Sequence, residues 1–156
     1  MMPKLADLLW LRNFVLGLCL ALTISACDKP GQLPQVAQAV EAQQLDSVNA
    51  GIEQAFAKKQ SDVQVSGEGV VVKLLADDTK GAQHQKFLVK INPRQTLLFA
   101  HNIDLAARVP LQVGDAVSFS GEYVYNPKGG VVHWTHHDPR GQHAAGWIML
   151  RGNKYQ

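Results

Sequence analysis

An alternation of apolar and polar residues that starts near Val63 constrains the fold of this 156-residue chain more than any other feature. β-branched residues crowd the segment 65–75, and Phe87, Val89 and Ile91 alternate with polar residues further on. A period of two residues is typical of strands that bury one face. The predicted strands are 65–75, 83–91, 95–101, a fourth that carries Val117 to Tyr125, and 131–137.

The segment between the third and fourth strands reads as a short capped helix, from Asn102 to Arg108, that ends before Pro110. Gly67 and Gly69 suggest a bend or bulge in the first strand. Three strands, a short helix and two strands, with a glycine-bent first strand, form the order of an OB-type barrel. We therefore predict a mainly β chain with a small OB-like five-stranded barrel, preceded by one or two amphipathic helices. Roll-like five-stranded arrangements stay open.

The first 26 residues have the form of a secretory leader. Lys4 and Arg12 supply positive charge, and an apolar run follows at 14–24, which is too short to span a bilayer. The next residues, Ile-Ser-Ala-Cys at 24–27, resemble a bacterial lipobox, which implies cleavage before Cys27 and lipidation of that residue. An ordinary signal peptide and an uncleaved anchor are the alternatives.

A lipid anchor at Cys27 predicts a location in the cell envelope. In a Gram-negative host, Asp28 after the lipidated cysteine resembles the signal for retention in the inner membrane, facing the periplasm. The only other cysteine, Cys19, leaves with the leader, so the mature chain has no disulfide. The expected layout is a signal peptide at 1–26, a lipidated tether at 27–34, a helical segment at 35–60 and the barrel at 61–156.

The helical segment carries apolar residues at steps of three and four. Val36 and Val40 lie in a first stretch, and Val48, Ile52, Ala55 and Phe56 in a second. Asp46 or Ser47 is placed to cap the second helix, which should end near Lys59 despite a glycine at position 51.

The charge of the chain argues against one class of partner. Its 15 basic and 13 acidic residues give a net charge of +2, and the leader removes part of that excess. Nucleic-acid binding depends mainly on neutralising phosphates with a strongly basic surface. Nucleic acid is therefore not an expected partner, whereas the membrane, through the lipid anchor, and a small ligand, a glycan or a protein are.

Four of the six histidines fall within the eleven residues 133–143, beside a tryptophan, a carboxylate and a guanidinium. Imidazole titrates near neutral pH and is the commonest metal ligand in proteins. On a regular strand, however, His133 and His137 would lie roughly 13 Å apart, too far to share one ion. A site must therefore form between strands, or across the turn at 138–141, which could fold His143 back toward His136 or His137.

The sequence proposes several candidate site residues. The ligand-binding candidates are His84, His101, His136, His137, Asp138 and His143. The catalytic candidates are His137, His143, Asp138 and Arg140, and the metal candidates are His137, His143 and His101, with a divalent ion such as zinc as the candidate cofactor. We expect His137, Asp138 and His143 to converge at the turn, with His101 or His84 nearby, and Phe119 and Trp134 to be core residues on neighbouring strands.

Two functions compete on this basis. The first is a membrane-tethered, periplasm-facing OB-like binding module with a histidine-rich site. The second is a metal- or histidine-dependent hydrolase of phosphoesters or similar bonds, in which a histidine acts as general base or as the ligand of a metal that activates water. Arg140 would then stabilise the developing anion.

Several motifs resemble an uncharacterised bacterial domain family of small exported proteins. They run from Gly67 to the end of the chain and include DDTKG-x-x-HQKF at 77–87, QTLL at 95–98, HNIDLA at 101–106, GEY at 121–123 and HWTHHDP-x-G-x-H-x-x-GW at 133–147. One departure is Val124-Tyr125, where the family pattern has an acidic residue and tryptophan. The resemblance implies export and a common fold, and it implies no activity.

Overall fold

The computed structural model describes residues 48–156. The predicted signal peptide, the tether, the first amphipathic helix and the capping residues Asp46 and Ser47 lie outside the described residues. The described part begins with one helix, α1, at 48–57, which agrees with the second predicted helix. No helix among residues 48–156 has the length and apolar character needed to cross a membrane.

Seven strands follow α1, and five of them close into a barrel. The strands are β1 (Val63–Leu74), β2 (His84–Lys90), β3 (Thr96–Asn102), β4 (Ala116–Val124), β5 (Val131–His133), β6 (Trp147–Leu150) and β7 (Asn153–Tyr155). The barrel order is β1-β2-β3-β5-β4, and β4 pairs again with β1. Strands β3 and β5 are parallel, whereas the other neighbours are antiparallel. The prediction of a mainly β, OB-like five-stranded barrel is confirmed.

The barrel interior is filled by aromatic and branched side chains from alternate strand positions. Phe87 and Phe99 stack with centroids 5.0 Å apart, and Phe119 meets Phe99 edge-on at 4.7 Å. All three rings are inaccessible to solvent. Complete burial of one such side chain contributes roughly 1.5–3 kcal/mol to the stability of the fold, so these three aromatic residues are major contributors to the core.

Helix α1 closes one end of the barrel through a buried amide. The Asn49 side chain donates to the carbonyl oxygens of Glu68 and Ile91, at 3.0 and 3.1 Å, and accepts the Glu68 N–H at 2.9 Å. Gly67 permits this approach, because a Cβ there would lie 2.6 Å from Ile52 Cδ1. The glycines of β1 therefore admit neighbours. The bulge itself lies further along, where the register with β2 shifts between Val71 and Lys73.

The predicted short helix after β3 is wrong: residues 103–105 form a turn. Asn102 Oδ1 accepts the Asp104 N–H at 2.9 Å, and the Ala106 N–H reaches the Asn102 carbonyl at 3.2 Å. Asp104 turns away and accepts the Gln83 N–H at 2.7 Å. Since that carboxylate holds the start of β2, it does not cap the turn in its own segment.

Strand β5 ends at His133, four residues before the predicted end. Trp134 has a backbone φ of 49°, in the left-handed region that L residues rarely adopt and that breaks strand alternation. The prediction that Trp134 is a core residue is therefore wrong: it is half-buried, whereas the neighbouring Thr135 and His136 are buried. Phe119 is a core residue, as expected.

Candidate functional site

The loop between β5 and β6, residues 134–146, borders an open cavity of about 420 Å³ whose other lining residues include positions on β2, β3 and β5. His84 and Asn102 are direct cross-strand partners and point outward, while the adjacent pair, Gln85 and His101, is buried. The cavity is lined by Ala82, His84, Ala100, Asn102, Asp104, Leu105, His133, Trp134, His136, Asp138, Pro139, Arg140, Gln142 and His143. Its size is within the range of small-molecule sites.

Two devices hold the loop in this shape. The Asp138 carboxylate accepts the backbone N–H groups of Arg140 at 2.8 Å, of His143 at 2.7 Å and of Gln142. The Gly146 N–H donates to the His136 carbonyl at 3.0 Å and closes the loop. A side chain at position 146 would collide with the carbonyl oxygen of Trp134. The backbone path from the loop into β6 therefore requires glycine at this position.

His136 and His143 meet inside the loop, with ring centroids 5.2 Å apart and ring planes at 90°. Nδ1 of His136 lies 2.8 Å from the His137 carbonyl oxygen, and Nδ1 of His143 lies 2.9 Å from the Ala144 carbonyl oxygen. A carbonyl oxygen only accepts, so each Nδ1 carries the proton and donates. The nitrogen that remains for a ligand is Nε2 in both rings.

Asp138 lies beside this histidine pair. One of its oxygens is 3.9 Å from His143 Nε2, which is close enough for charge attraction and too long for a hydrogen bond. Burial alone would raise the pKa of the Asp138 carboxyl, but the N–H groups of His143, Arg140 and Gln142 outweigh it and hold the pKa below its ordinary value. The carboxylate is therefore ionised at neutral pH.

Burial governs the titration of His136, which is 3% exposed. Loss of solvent lowers its pKa below 6.5, and the neighbouring His143 lowers it further, while the bond to the His137 carbonyl opposes the shift. His136 is therefore neutral at pH 7, with a lone pair on Nε2.

Trp134 packs on two imidazoles rather than offering an open platform. Its ring stacks on His143 with centroids 4.3 Å apart and lies 4.9 Å from His133 at a tilt of 39°. His133 Nε2 in turn lies 3.2 Å from a Glu122 carboxylate oxygen. The indole thus forms part of the cavity wall and fixes the position of His143.

His101 lies beneath the cavity and does not line it. The ring is inaccessible to solvent, Nε2–H donates to the Ala107 carbonyl at 3.2 Å, and Nδ1 accepts the Thr135 hydroxyl at 2.8 Å. Burial lowers the pKa of His101, so it is neutral. Both of its ring nitrogens form hydrogen bonds within the protein, so neither is available to a ligand.

The structure thus rearranges the expected group of residues. Asp138 and His143 do meet, and His84 lines the same cavity, but His136 occupies the position that was expected for His137. His137 is exposed and does not line the cavity. The reason is the left-handed backbone at Trp134, which ends the alternation on which the expectation for His137 depended.

The metal candidates do not form a common set of ligands. His101 is buried with both nitrogens bonded, His137 is exposed, and His143 lies in the cavity wall. Across residues 48–156, no three His, Cys, Asp or Glu side chains are grouped to hold one ion.

A family model for proteins of unknown function, DUF3465, matches residues 35–156. The chain belongs to the DUF3465 family. The prediction of an uncharacterised domain family is confirmed, and the match reaches further toward the N-terminus than the motifs that suggested it. A search of curated proteins finds no significant match.

The structure of this DUF3465 protein also assigns cavity positions that sequence reasoning missed. His133 and Trp134 line the cavity, as do Asn102 and Asp104 from the end of β3 and the turn after it. The alternation of β2 and β3 contained a signal for Asn102, because it places that residue on the same outward face as His84. No comparable signal marked Trp134, whose backbone conformation depends on the tertiary contacts of the loop.

Proposed function

We propose that this protein is a membrane-tethered binding module that takes a small polar ligand in the cavity under the 134–146 loop. The observation that carries the proposal is the pair of imidazoles, His136 and His143, whose Nδ1 atoms are committed to backbone carbonyls and whose Nε2 atoms remain for a ligand. Oriented polar groups in a concave site are the usual means of ligand recognition. Their orientation is set before any ligand arrives.

The position of the cavity supports a binding role. OB-type barrels commonly bind oligosaccharides and oligonucleotides on the face of their second and third strands, and this cavity rests on the same face. That comparison is an analogy of fold. The modest net charge of +2 favours a small ligand over a nucleic acid.

The tether is proposed from the sequence. The Ile-Ser-Ala-Cys segment at 24–27 resembles a lipobox, and lipidated Cys27 followed by Asp28 would hold the module at the inner membrane, facing the periplasm in a Gram-negative host. A tether of several residues would keep the cavity near the membrane surface without burying it.

The test is a thermal-shift screen of the full-length chain in detergent, against sugars, dipeptides, organic acids and phosphate esters. A ligand that binds the folded state raises the unfolding temperature as its concentration increases. The informative variant is His136→Asn, because the amide can keep the donor to the His137 carbonyl while removing Nε2. The matched control is His137→Asn, at the adjacent exposed residue. A hit that survives His136→Asn unchanged would contradict this cavity as the site.

The same histidine pair favours a second candidate, a histidine-dependent hydrolase. Neutral His136 can accept a proton from water at Nε2, and Arg140 can stabilise negative charge on the oxygen atoms of a phosphoester. The discriminating assay is release of nitrophenol from bis(nitrophenyl) phosphate by wild type, His136→Asn and His137→Asn. If wild type and His137→Asn hydrolyse the substrate and His136→Asn does not, the result supports the hydrolase. If ligands bind but no hydrolysis occurs, the result supports the binding module.

A further inference from the structure

We propose that the ligand of this cavity carries an oxyanion group, a phosphate, sulfate or carboxylate, and that its binding is coupled to proton uptake by His136. The inference rests on the proposed binding function and specifies the class of ligand. Three features of the described cavity carry it: the cationic donors in its wall, the engaged state of its carboxylates, and the single nitrogen that each histidine has left.

The wall is rich in groups that are cationic or become so on protonation. Four histidines, His84, His133, His136 and His143, are among its lining residues, and so is Arg140. A guanidinium is always charged and presents a planar fork of donors that matches an oxyanion. Among residues 48–156, arginine ion pairs form at Arg108 and Arg151, and none forms at Arg140.

The two carboxylates in the wall are already engaged by backbone donors. Asp138 accepts three N–H groups from its own loop, and Asp104 accepts the Gln83 N–H at 2.7 Å. These bonds disperse the negative charge and orient both carboxylates toward the protein's own backbone. They therefore oppose an incoming anion less than exposed carboxylates would.

The histidines link the ligand to protons. Because Nδ1–H of His136 and of His143 donates to a carbonyl oxygen, the neutral ring offers only a lone pair at Nε2. A lone pair repels an oxyanion, whereas Nε2–H of the imidazolium donates to it. Favourable contact with an oxyanion therefore requires a second proton on the ring. Burial keeps the pKa of His136 low in the free protein, so this proton must arrive with the ligand.

Other titratable groups lie around the pair and contribute to its electrostatic environment. His84 lies on β2, Asp104 in the turn after β3, His133 on β5 against Glu122 of β4, and His101 beneath the loop. The Asp138 carboxylate, whose oxygen lies 3.9 Å from His143 Nε2, also acts on His136, where its charge opposes the lowering of the pKa by burial. We expect the coupling at His136, because its ring is buried and its Nε2 has no hydrogen-bond partner among the described residues.

The test is calorimetric titration of the full-length chain in detergent with sulfate, methyl phosphate and acetate, at pH 5.5 and 7.5 and constant ionic strength. Sulfate keeps its charge across this pH range, so a change in its affinity must come from a change in the protonation of the protein. If binding takes up one proton, the affinity for sulfate should rise as the pH falls, by up to about tenfold per pH unit. Repeating the titration in buffers of different ionisation enthalpy counts the protons directly. Comparison of the three anions separates a phosphorylated from a carboxylated natural ligand.

The variants assign the effect to residues. Arg140→Gln should weaken sulfate binding at both pH values, since it removes a fixed charge. His136→Asn should remove most of the pH dependence and lower the proton count, while His137→Asn should behave like wild type. Sulfate binding that is equal at both pH values, or that takes up no proton, overturns the inference.

One further arm separates this inference from the proposed function. If a neutral sugar or dipeptide from the thermal-shift screen binds in a manner that needs His136, and none of the three anions binds, the cavity is a binding site and the oxyanion inference is wrong. If no compound of any class binds, the proposed function fails and the inference fails with it.

Discussion

The Thr135 hydroxyl donates to Nδ1 of His101 across 2.8 Å, and both side chains are inaccessible to solvent. This bond joins the first turn of the 134–146 loop to the inner face of β3. The loop that borders the cavity is therefore anchored in the barrel core at its start, and at its end the Gly146 N–H closes the loop on the His136 carbonyl. A loop anchored at its start and closed on itself can present its polar groups in fixed positions.

Replacing Thr135 by valine should destabilise the protein by about 1–3 kcal/mol, because it leaves a buried nitrogen of His101 without a partner. Thr135→Ser keeps the hydroxyl and should lose less, through the missing methyl group alone. Urea denaturation of both variants measures the difference. Equal stability of the valine and serine variants would show that the bond contributes little.

The stability of the protein should fall as the pH drops below 6.5. His101 and His136 have lowered pKa values in the folded state, so near and below pH 6.5 the unfolded chain binds protons that the folded chain does not. Stability then rises with pH across that window and levels off above it. Urea midpoints at pH 7.5 and 5.5 measure the loss. His136→Asn should reduce it and His137→Asn should not; an unchanged loss in His136→Asn would contradict the assignment.

Phe119→Ala should cost about 3–5 kcal/mol, since the ring is fully buried against Phe99. Trp134→Ala should cost less, because its ring is half-buried and lies in the cavity wall. Its main effect should be on the position of His143, and hence on ligand binding. Thermal unfolding of the two variants gives the comparison, and a larger loss in Trp134→Ala would place that ring in the core after all.

Two glycine-to-alanine changes should have opposite effects. Gly51→Ala should stabilise the protein by about 0.5–1 kcal/mol, because the residue is exposed in α1 with open space around its Cα. Gly146→Ala should destabilise it and disturb the loop, since its Cβ would meet the Trp134 carbonyl. Unfolding temperatures report both effects. A tolerated Gly146→Ala would mean that the loop can shift without loss.

Cys27→Ala should abolish labelling with radioactive fatty acid in the producing cell, because it removes the residue at which we propose acylation. Wild type should be labelled and recovered with the inner membrane. One acyl chain binds a membrane only marginally, so stable recovery would indicate that the protein carries more than one. Unlabelled wild type would contradict the lipid anchor. Labelled protein in the outer membrane would contradict only the proposed role of Asp28 as a retention signal.

Much of the barrel could be predicted from local pattern. Alternation placed Phe87, Val89 and Ile91 on one face, and each is buried in the structure. The helix at 48–57 followed from apolar residues at steps of three and four. These features depend on which side of an element each residue occupies, and short-range periodicity determines that. Asn49 was missed because its partners, Glu68 and Ile91, are distant in sequence.

The candidate site was predicted in outline and misassigned in detail. The sequence identified the density of histidines at 133–143 and the turn at Asp138. It could not decide which ring of the His136-His137 pair faces inward, because that depends on where β5 ends. A single left-handed residue, Trp134, exchanges the two positions.

By itself, the sequence determined the order of the five barrel strands, their apolar faces and the resemblance that the DUF3465 match confirmed, but not the last two strands, β6 and β7. Only the tertiary structure decided that His136 and His143 line one cavity, that His101 is a buried support and that His137 is exposed. The physical reason is range. Strand periodicity is a property of neighbouring residues, whereas the backbone at Trp134 is held by contacts between the loop, β3 and β4 that form only when the barrel closes.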